Sequence, residues 1–126
     1  MSIAPYAQSV CFFYTNDLAT THLFYHEALG LPMVLDQGAC RIYQVSSDGF
    51  IGFCTHRKPS HTDGVIITLV TEELETRVKA LQCQGVVFEK DITVNERFMI
   101  THAFLRDPNG YLVEIQRFDD PRWNSP

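Results

Sequence analysis

Several features that guide functional interpretation are absent from this sequence. No apolar run is long enough to span a bilayer, and the N-terminal residues show neither the charged start nor the apolar stretch of a signal peptide. The net charge is −5 and no basic run is present, so nucleic acid and anionic membranes are poor partners. These absences predict that neither a membrane nor a nucleic acid is bound.

Closely spaced cysteine pairs are also missing. Cys11, Cys40, Cys54 and Cys83 are scattered and form no C-x-x-C motif. Three of the four lie in apolar, strand-like runs, where a free cysteine packs as a small hydrophobic residue. Together with the absence of a signal peptide, this pattern predicts a cytoplasmic protein.

The composition that remains is ordinary for a globular protein. The 126 residues are 45% hydrophobic and 20% charged. A chain of this length forms one domain that buries roughly two-thirds of its unfolded surface. We therefore expect a single domain over residues 1–126.

The clearest local pattern is a β-hairpin near the C-terminus. Two alternating runs, residues 101–106 and 111–117, flank Asp107-Pro108-Asn109-Gly110, whose residue types are typical of a tight turn. On the second strand, Leu112, Glu114 and Gln116 share one face, and Tyr111, Val113 and Ile115 share the other. The apolar residues are expected to face the core. Glu114 is then on the opposite face, which would enclose any ligand.

The first half of the chain reads as strand, helix and three strands. Residues 10–14 predict a strand, and Asp17 or Asn16 then caps a helix that ends at Gly30. Three further strands are expected near residues 33–36, 39–45 and 50–55.

The second half repeats this order. After a polar joint at residues 57–64, we expect a strand at 65–70 and a helix capped by Thr71 that ends at Gly85. The remaining strands are expected at residues 86–89, 98–106 and 111–118. Val10 and Val65 are 55 residues apart, as are Gly30 and Gly85, which indicates an internal repeat.

The predicted fold is therefore α+β, with two βαβββ modules that form a curved mixed sheet around a cup. Module one covers about residues 8–56, the joint about 57–64 and module two about 65–118, followed by a short tail at 119–126. The hairpin and the first helix, from Asn16-Asp17-Leu18 to Leu29-Gly30-Leu31, resemble the vicinal oxygen chelate superfamily. That group contains glyoxalase I, extradiol dioxygenases and bleomycin-resistance binding proteins.

In the metal-dependent members of this superfamily, four positions in the cup hold one divalent ion. The resemblance implies that the corresponding positions of this chain are where a metal would lie. Carried onto this chain, these positions are Val10, Gly52, Val65 and Glu114. Valine and glycine side chains have no lone pair to offer a metal. We therefore expect no bound metal and no other cofactor. An alternative stays open, in which His56, His102 and Glu114 form a relocated metal site.

Candidate site residues follow from strand parity. His102 is expected on the face of Phe104 and near Glu114, either as its catalytic partner or as a structural histidine. His22, on the inner side of the first helix, is expected to be a core histidine bonded to a neighbour such as Thr68. The residues expected to line a ligand cup are Val10, Phe12, Tyr14, Phe50, Gly52, Cys54, Val65 and Phe104.

Two classes of function that involve a ligand remain open at this point, besides a purely structural or regulatory module whose cup is filled by its own side chains. The first is a metal-free protein, similar to the bleomycin-resistance proteins, that binds and sequesters a small molecule; its aromatic walls suit an aromatic or cationic ligand. The second is a glyoxalase-I-like lyase or isomerase that uses Glu114 and His102, with or without a relocated metal. The resemblance also implies a homodimer.

Overall fold

A computed structural model describes residues 3–123 of the chain, which divides into two compact units between His61 and Thr62. That division lies within the predicted joint. The last three residues of the predicted tail lie outside the described part. Within residues 3–123, no helix is long and apolar enough to cross a membrane.

In the described part of the chain, each unit contains four strands and one helical region. The elements of the first unit are β1 (Ser9–Tyr14), α1 (Leu18–His22) with a π-helical continuation (Leu23–Ala28), β2 (Met33–Asp36), β3 (Cys40–Gln44) and β4 (Gly49–Cys54). Those of the second unit are β5 (Ile66–Val70), α2 (Leu74–Cys83), β6 (Phe88–Asn95), β7 (Ile100–Arg106) and β8 (Leu112–Phe118).

The strand order repeats between the units. The first sheet has the order β1-β4-β3-β2 and the second β5-β8-β7-β6. In each sheet the first strand pairs in parallel with the last, and the other pairs are antiparallel. Both sheets are mixed and open, which confirms the predicted α+β fold of two βαβββ modules. The predicted cup requires both units together and stays a prediction.

The first helix begins as predicted but changes its winding. Asp17 Oδ1 accepts the backbone N–H of Thr20 at 3.0 Å, and this hydrogen bond holds the pKa of Asp17 below its usual value. From Leu23 onward the helix is wider, with Leu29 N donating to Phe24 O at 2.9 Å. It ends where Gly30 takes a positive φ of 75°.

The second helix starts later than the sequence predicts. Thr71 Oγ1 accepts the N–H of Glu73, but α2 itself begins at Leu74. Its end at a left-handed glycine is confirmed by Gly85, with φ 87°. Its buried residues, Leu74, Val78 and Leu81, are those expected from the helical spacing.

Strand β6 was predicted too short. It continues from Phe88 to Asn95, through a polar stretch that reads like a loop in the sequence. β6 lies at the edge of its sheet, and its pairing with β7 is interrupted by register shifts. An edge strand with exposed side chains accommodates polar residues that a central strand would exclude.

The expectation of free cysteines is wrong for two of the four. Cys40 and Cys54 stand opposite each other in the antiparallel β3–β4 pair, with Cα atoms 4.1 Å apart, and form a disulfide. Cys11 and Cys83 are free and exposed. A disulfide weakens the argument for a reducing compartment, so the cytoplasmic location stays a prediction.

Candidate functional site

One face of the first sheet is lined by apolar and aromatic residues from two neighbouring strands. The parallel β1–β4 register pairs Val10 with Phe50, Phe12 with Gly52 and Tyr14 with Cys54. Paired residues of adjacent strands point to the same side of a sheet. The structure thus brings together the six candidate ligand residues of the first unit. This surface is called the aromatic face below.

Phe12 is the central side chain of the aromatic face. It is 56% exposed, and its ring lies where a side chain at position 52 would stand: a Cβ built on Gly52 would be 2.6 Å from the ring. Gly52 is therefore required for the ring to come this close to β4. The other side of the sheet buries Phe53, whose ring centroid is 4.5 Å from that of Tyr25.

His56 lies at the end of the aromatic face. Its ring meets Tyr14 edge-on, with centroids 5.3 Å apart. The relocated metal site, in which His56 would act with His102 and Glu114, combines residues of both units and stays a prediction.

The second sheet holds a buried carboxylate with polar partners on three strands. Glu114, 7% exposed, and His102, 6% exposed, are joined by a hydrogen bond of 2.5 Å between His102 Nδ1 and Glu114 Oε2. Thr68 donates its hydroxyl to Glu114 Oε1 at 2.7 Å. The amide of Gln116, with its NH2 group turned toward the carboxylate, donates to both oxygens at 2.9 and 3.0 Å. These four residues form the Glu114 network.

The hydrogen-bonding capacity of Glu114 is fully used within this network. An ionised carboxylate offers about four acceptor positions, and the network supplies four donor contacts. These donors replace the water that the carboxylate loses on burial. His102 donates from Nδ1, so in the neutral ring the lone pair is on Nε2. Glu114 is thus arranged to orient His102.

Phe104 lies beside this network, and Val65 lies outside the strand. Phe104 meets His102 with ring centroids 4.8 Å apart and pairs across the sheet with Glu114. β5 begins at Ile66, one residue after Val65, and the residue that pairs with Glu114 is Thr68.

The four positions implied for a family metal do not fit one. Val10, Gly52 and Val65 have no donor atom, and the ring of Phe12 covers Gly52. The remaining position is Glu114, whose lone pairs are already engaged. No chemical step is therefore assigned to a metal at these positions.

Sequence reasoning missed two members of the network. His22 was expected to bond to a neighbour such as Thr68; it does bond to a neighbour, but to the hydroxyl of Tyr43, 2.8 Å from His22 Nδ1, and Thr68 donates to Glu114 instead. Gln116 was placed on the correct face but given no role. Because Thr68 and Gln116 alternate onto the face of Glu114, strand parity with the correct β5 register would have found both.

Two repeated βαβββ modules with open mixed sheets define the class of protein. The chain belongs to the glyoxalase/bleomycin resistance protein/dioxygenase superfamily, whose family model matches residues 7–115. Proteins of this family bind small-molecule ligands and are often dimeric. Comparison with curated proteins gives no match.

Solved structures share the fold at low sequence identity. A lactoylglutathione lyase from Agrobacterium tumefaciens is 16% identical with a TM-score of 0.76, covering 94% of this chain and 98% of its own. An integron cassette protein from V. cholerae is 20% identical with a TM-score of 0.71, covering 94% and 98%. A glyoxalase/bleomycin resistance protein/dioxygenase from Nocardioides is 13% identical with a TM-score of 0.74, covering 100% and 91%.

Proposed function

We propose that the protein binds and sequesters a small molecule without a catalytic metal, and that the ligand packs on the aromatic face. The observation that carries this proposal is the exposure of Phe12 at the centre of a surface with few polar atoms. A half-exposed aromatic ring that packs against a sheet offers an apolar contact for a ligand.

The chemistry of this face favours an aromatic or cationic ligand. Aromatic rings attract cations through their negative faces, and the net charge of −5 attracts cations from solution. The sulfur of Cys54 is not expected to bind the ligand directly, because it is bonded to Cys40.

The proposal predicts that Phe12→Ala weakens ligand binding. A planar aromatic cation identified by thermal-shift screening should bind the mutant about 5- to 30-fold more weakly, because loss of ring contacts costs roughly 1–2 kcal/mol. Titration calorimetry measures this change. Phe98→Ala is the matched control, since Phe98 is 60% exposed and lies in the second unit. Binding should also survive a chelator.

Two results would contradict this function. One is the absence of any aromatic or cationic compound that stabilises the protein. The other is equal loss of affinity in Phe12→Ala and Phe98→Ala, which would show that the aromatic face is not the binding surface.

The Glu114 network supports a second candidate, a lyase or isomerase of the glyoxalase I type. Glu114 would orient His102 through Nδ1, and His102 Nε2 would take a proton from the carbon beside a carbonyl and return it to the neighbouring carbon. Turnover of a hemithioacetal that is lost in His102→Gln and kept in His61→Gln would establish this enzyme. Loss of turnover on chelation would show that a metal takes part.

We also propose that the protein is a homodimer. The outer strands β1 and β5 carry large apolar side chains that are exposed in the single chain, among them Val10, Ile66 and Val70. Exposed apolar patches of this kind mark interaction surfaces. Analytical ultracentrifugation, which gives the molar mass in solution, tests this proposal.

A further inference from the structure

Three potential metal ligands gather on the helical region of the first unit. His22 ends α1, and His26 and Glu27 lie in the π-helical segment that follows. One potential ligand atom from each residue lies within 4.8 Å of the other two. The two imidazole rings stack with centroids 4.7 Å apart and planes inclined by 18°.

The hydrogen bonds of His26 leave its outer nitrogen available for a metal. His26 Nδ1 is 2.9 Å from the carbonyl oxygen of Leu31. A carbonyl oxygen only accepts, so Nδ1 carries the proton and the lone pair of the neutral ring is on Nε2. That nitrogen faces Glu27, whose Oε1 is 3.9 Å away. A ligating histidine in proteins is typically oriented by such a bond from its other nitrogen.

The environment of His22 allows the same arrangement. Its Nδ1 is 2.8 Å from the hydroxyl oxygen of Tyr43, which can accept the Nδ1 proton. In this tautomer the Nε2 lone pair of His22 is free to bind a metal.

We propose that His22, His26 and Glu27 bind a divalent first-row transition metal on the surface of the first unit. Two imidazole nitrogens and one carboxylate form a ligand set that suits Zn²⁺ and leaves a fourth position for water. This site is separate from the positions that the family resemblance implies for a metal.

The ligands need only a small movement to close around an ion. Atoms bound to a tetrahedral zinc at about 2.1 Å lie roughly 3.4 Å apart, whereas the ligand atoms here lie within 4.8 Å of one another. The side chains of His26 and Glu27 are 40% and 64% exposed. A small adjustment of these two side chains toward the ion therefore disturbs little packing, and the bonds to Leu31 and Tyr43 engage Nδ1 of each imidazole and leave Nε2 for the ion.

The test is a titration of tag-free, chelator-treated protein with ZnCl₂ by calorimetry. The wild type should bind one equivalent, and His26→Ala should bind at least about tenfold more weakly, because removing even an outer-shell partner of a metal site costs 10–100-fold in affinity. The double variant H22A/H26A should lose the site. Titration with Co²⁺ adds a second readout, the visible absorption of the bound ion.

Matched controls distinguish Zn²⁺ binding at this site from Zn²⁺ binding at any exposed histidine and from Zn²⁺ binding to the second unit. His61→Ala removes an exposed histidine elsewhere in the first unit and should leave Zn²⁺ affinity unchanged, as should His102→Gln in the Glu114 network. Circular dichroism checks that H22A/H26A is folded, and Glu27→Ala, at an exposed position, tests the site without altering the histidines. The proposal is overturned if the wild type binds no more Zn²⁺ than H22A/H26A, or if binding depends equally on His61.

Discussion

Glu114→Ala should lower the free energy of unfolding by about 2–6 kcal/mol, because the two buried donors of His102 and Gln116 lose their acceptor at about 1–3 kcal/mol each. The substitution leaves the donors of Thr68, His102 and Gln116 without their common acceptor. His102 and Gln116 are buried, so each adds a desolvation cost when it loses its partner, whereas the exposed Thr68 can bond to water instead. Urea unfolding followed by circular dichroism measures the change.

Two further variants show whether the loss comes from the network. Glu114→Gln keeps one carbonyl acceptor and the side-chain shape, so it should lose less stability than Glu114→Ala. Glu75→Ala removes an exposed carboxylate that pairs with Arg117 at 3.0 Å, and it should have little effect because exposed ion pairs contribute little. If Glu114→Ala is no more destabilising than Glu75→Ala, the network does not support the fold.

The sequence predicts the fold well because local signals and the repeat agree. Asp17 and Gly30 bound the first helix, Gly85 ends the second, and the 55-residue spacing relates the two modules. Capping and left-handed glycines act through neighbouring backbone atoms, so they can be recognised in one sequence. β6 was missed beyond residue 89 because edge strands tolerate polar residues that normally indicate a loop.

The candidate site is harder to predict from the sequence than the fold, because its contacts join strands that are distant along the chain. His102 was expected near Glu114, since both lie on one hairpin, and the observed hydrogen bond is one of the two alternatives left open, the other being a bond to a backbone carbonyl. The bond from Thr68 depends on the parallel β5–β8 register, which no local pattern specifies. The Cys40–Cys54 pairing likewise depends on the β3–β4 register.

The cluster of His22, His26 and Glu27 shows a different limit. The spacing of the two histidines places them on one side of a helix, a signal that was present in the sequence. His22 was instead interpreted as a core residue because apolar positions surround it. The change to π-helical winding after residue 22, which alters the direction of the following side chains, is not encoded by any simple periodicity.

Asp107→Ala should destabilise the β7–β8 hairpin, with an expected loss of about 2–4 kcal/mol in the free energy of unfolding, because buried donors lose their acceptor. Asp107 is 5% exposed, and its Oδ1 accepts the backbone N–H groups of Asn109 and Tyr111 at 2.9 and 2.8 Å. Its backbone closes the same turn by accepting from Gly110 and donating to Tyr111. Pro108 and Gly110 allow the backbone angles of the turn, and the side chain of Asp107 stabilises it.

This hairpin sets the register that joins His102 to Glu114, so the Asp107 substitution should also loosen the Glu114 network. Hydrogen exchange measured by NMR should show faster exchange at Tyr111 and along β8 in Asp107→Ala, whereas Asp107→Asn, which keeps an acceptor at Oδ1, should recover most of the protection. Asp48→Ala, in the exposed β3–β4 turn, is the matched control. Equal exchange in Asp107→Ala and wild type would mean that strand pairing alone maintains the register, and that the Glu114 network does not depend on the turn.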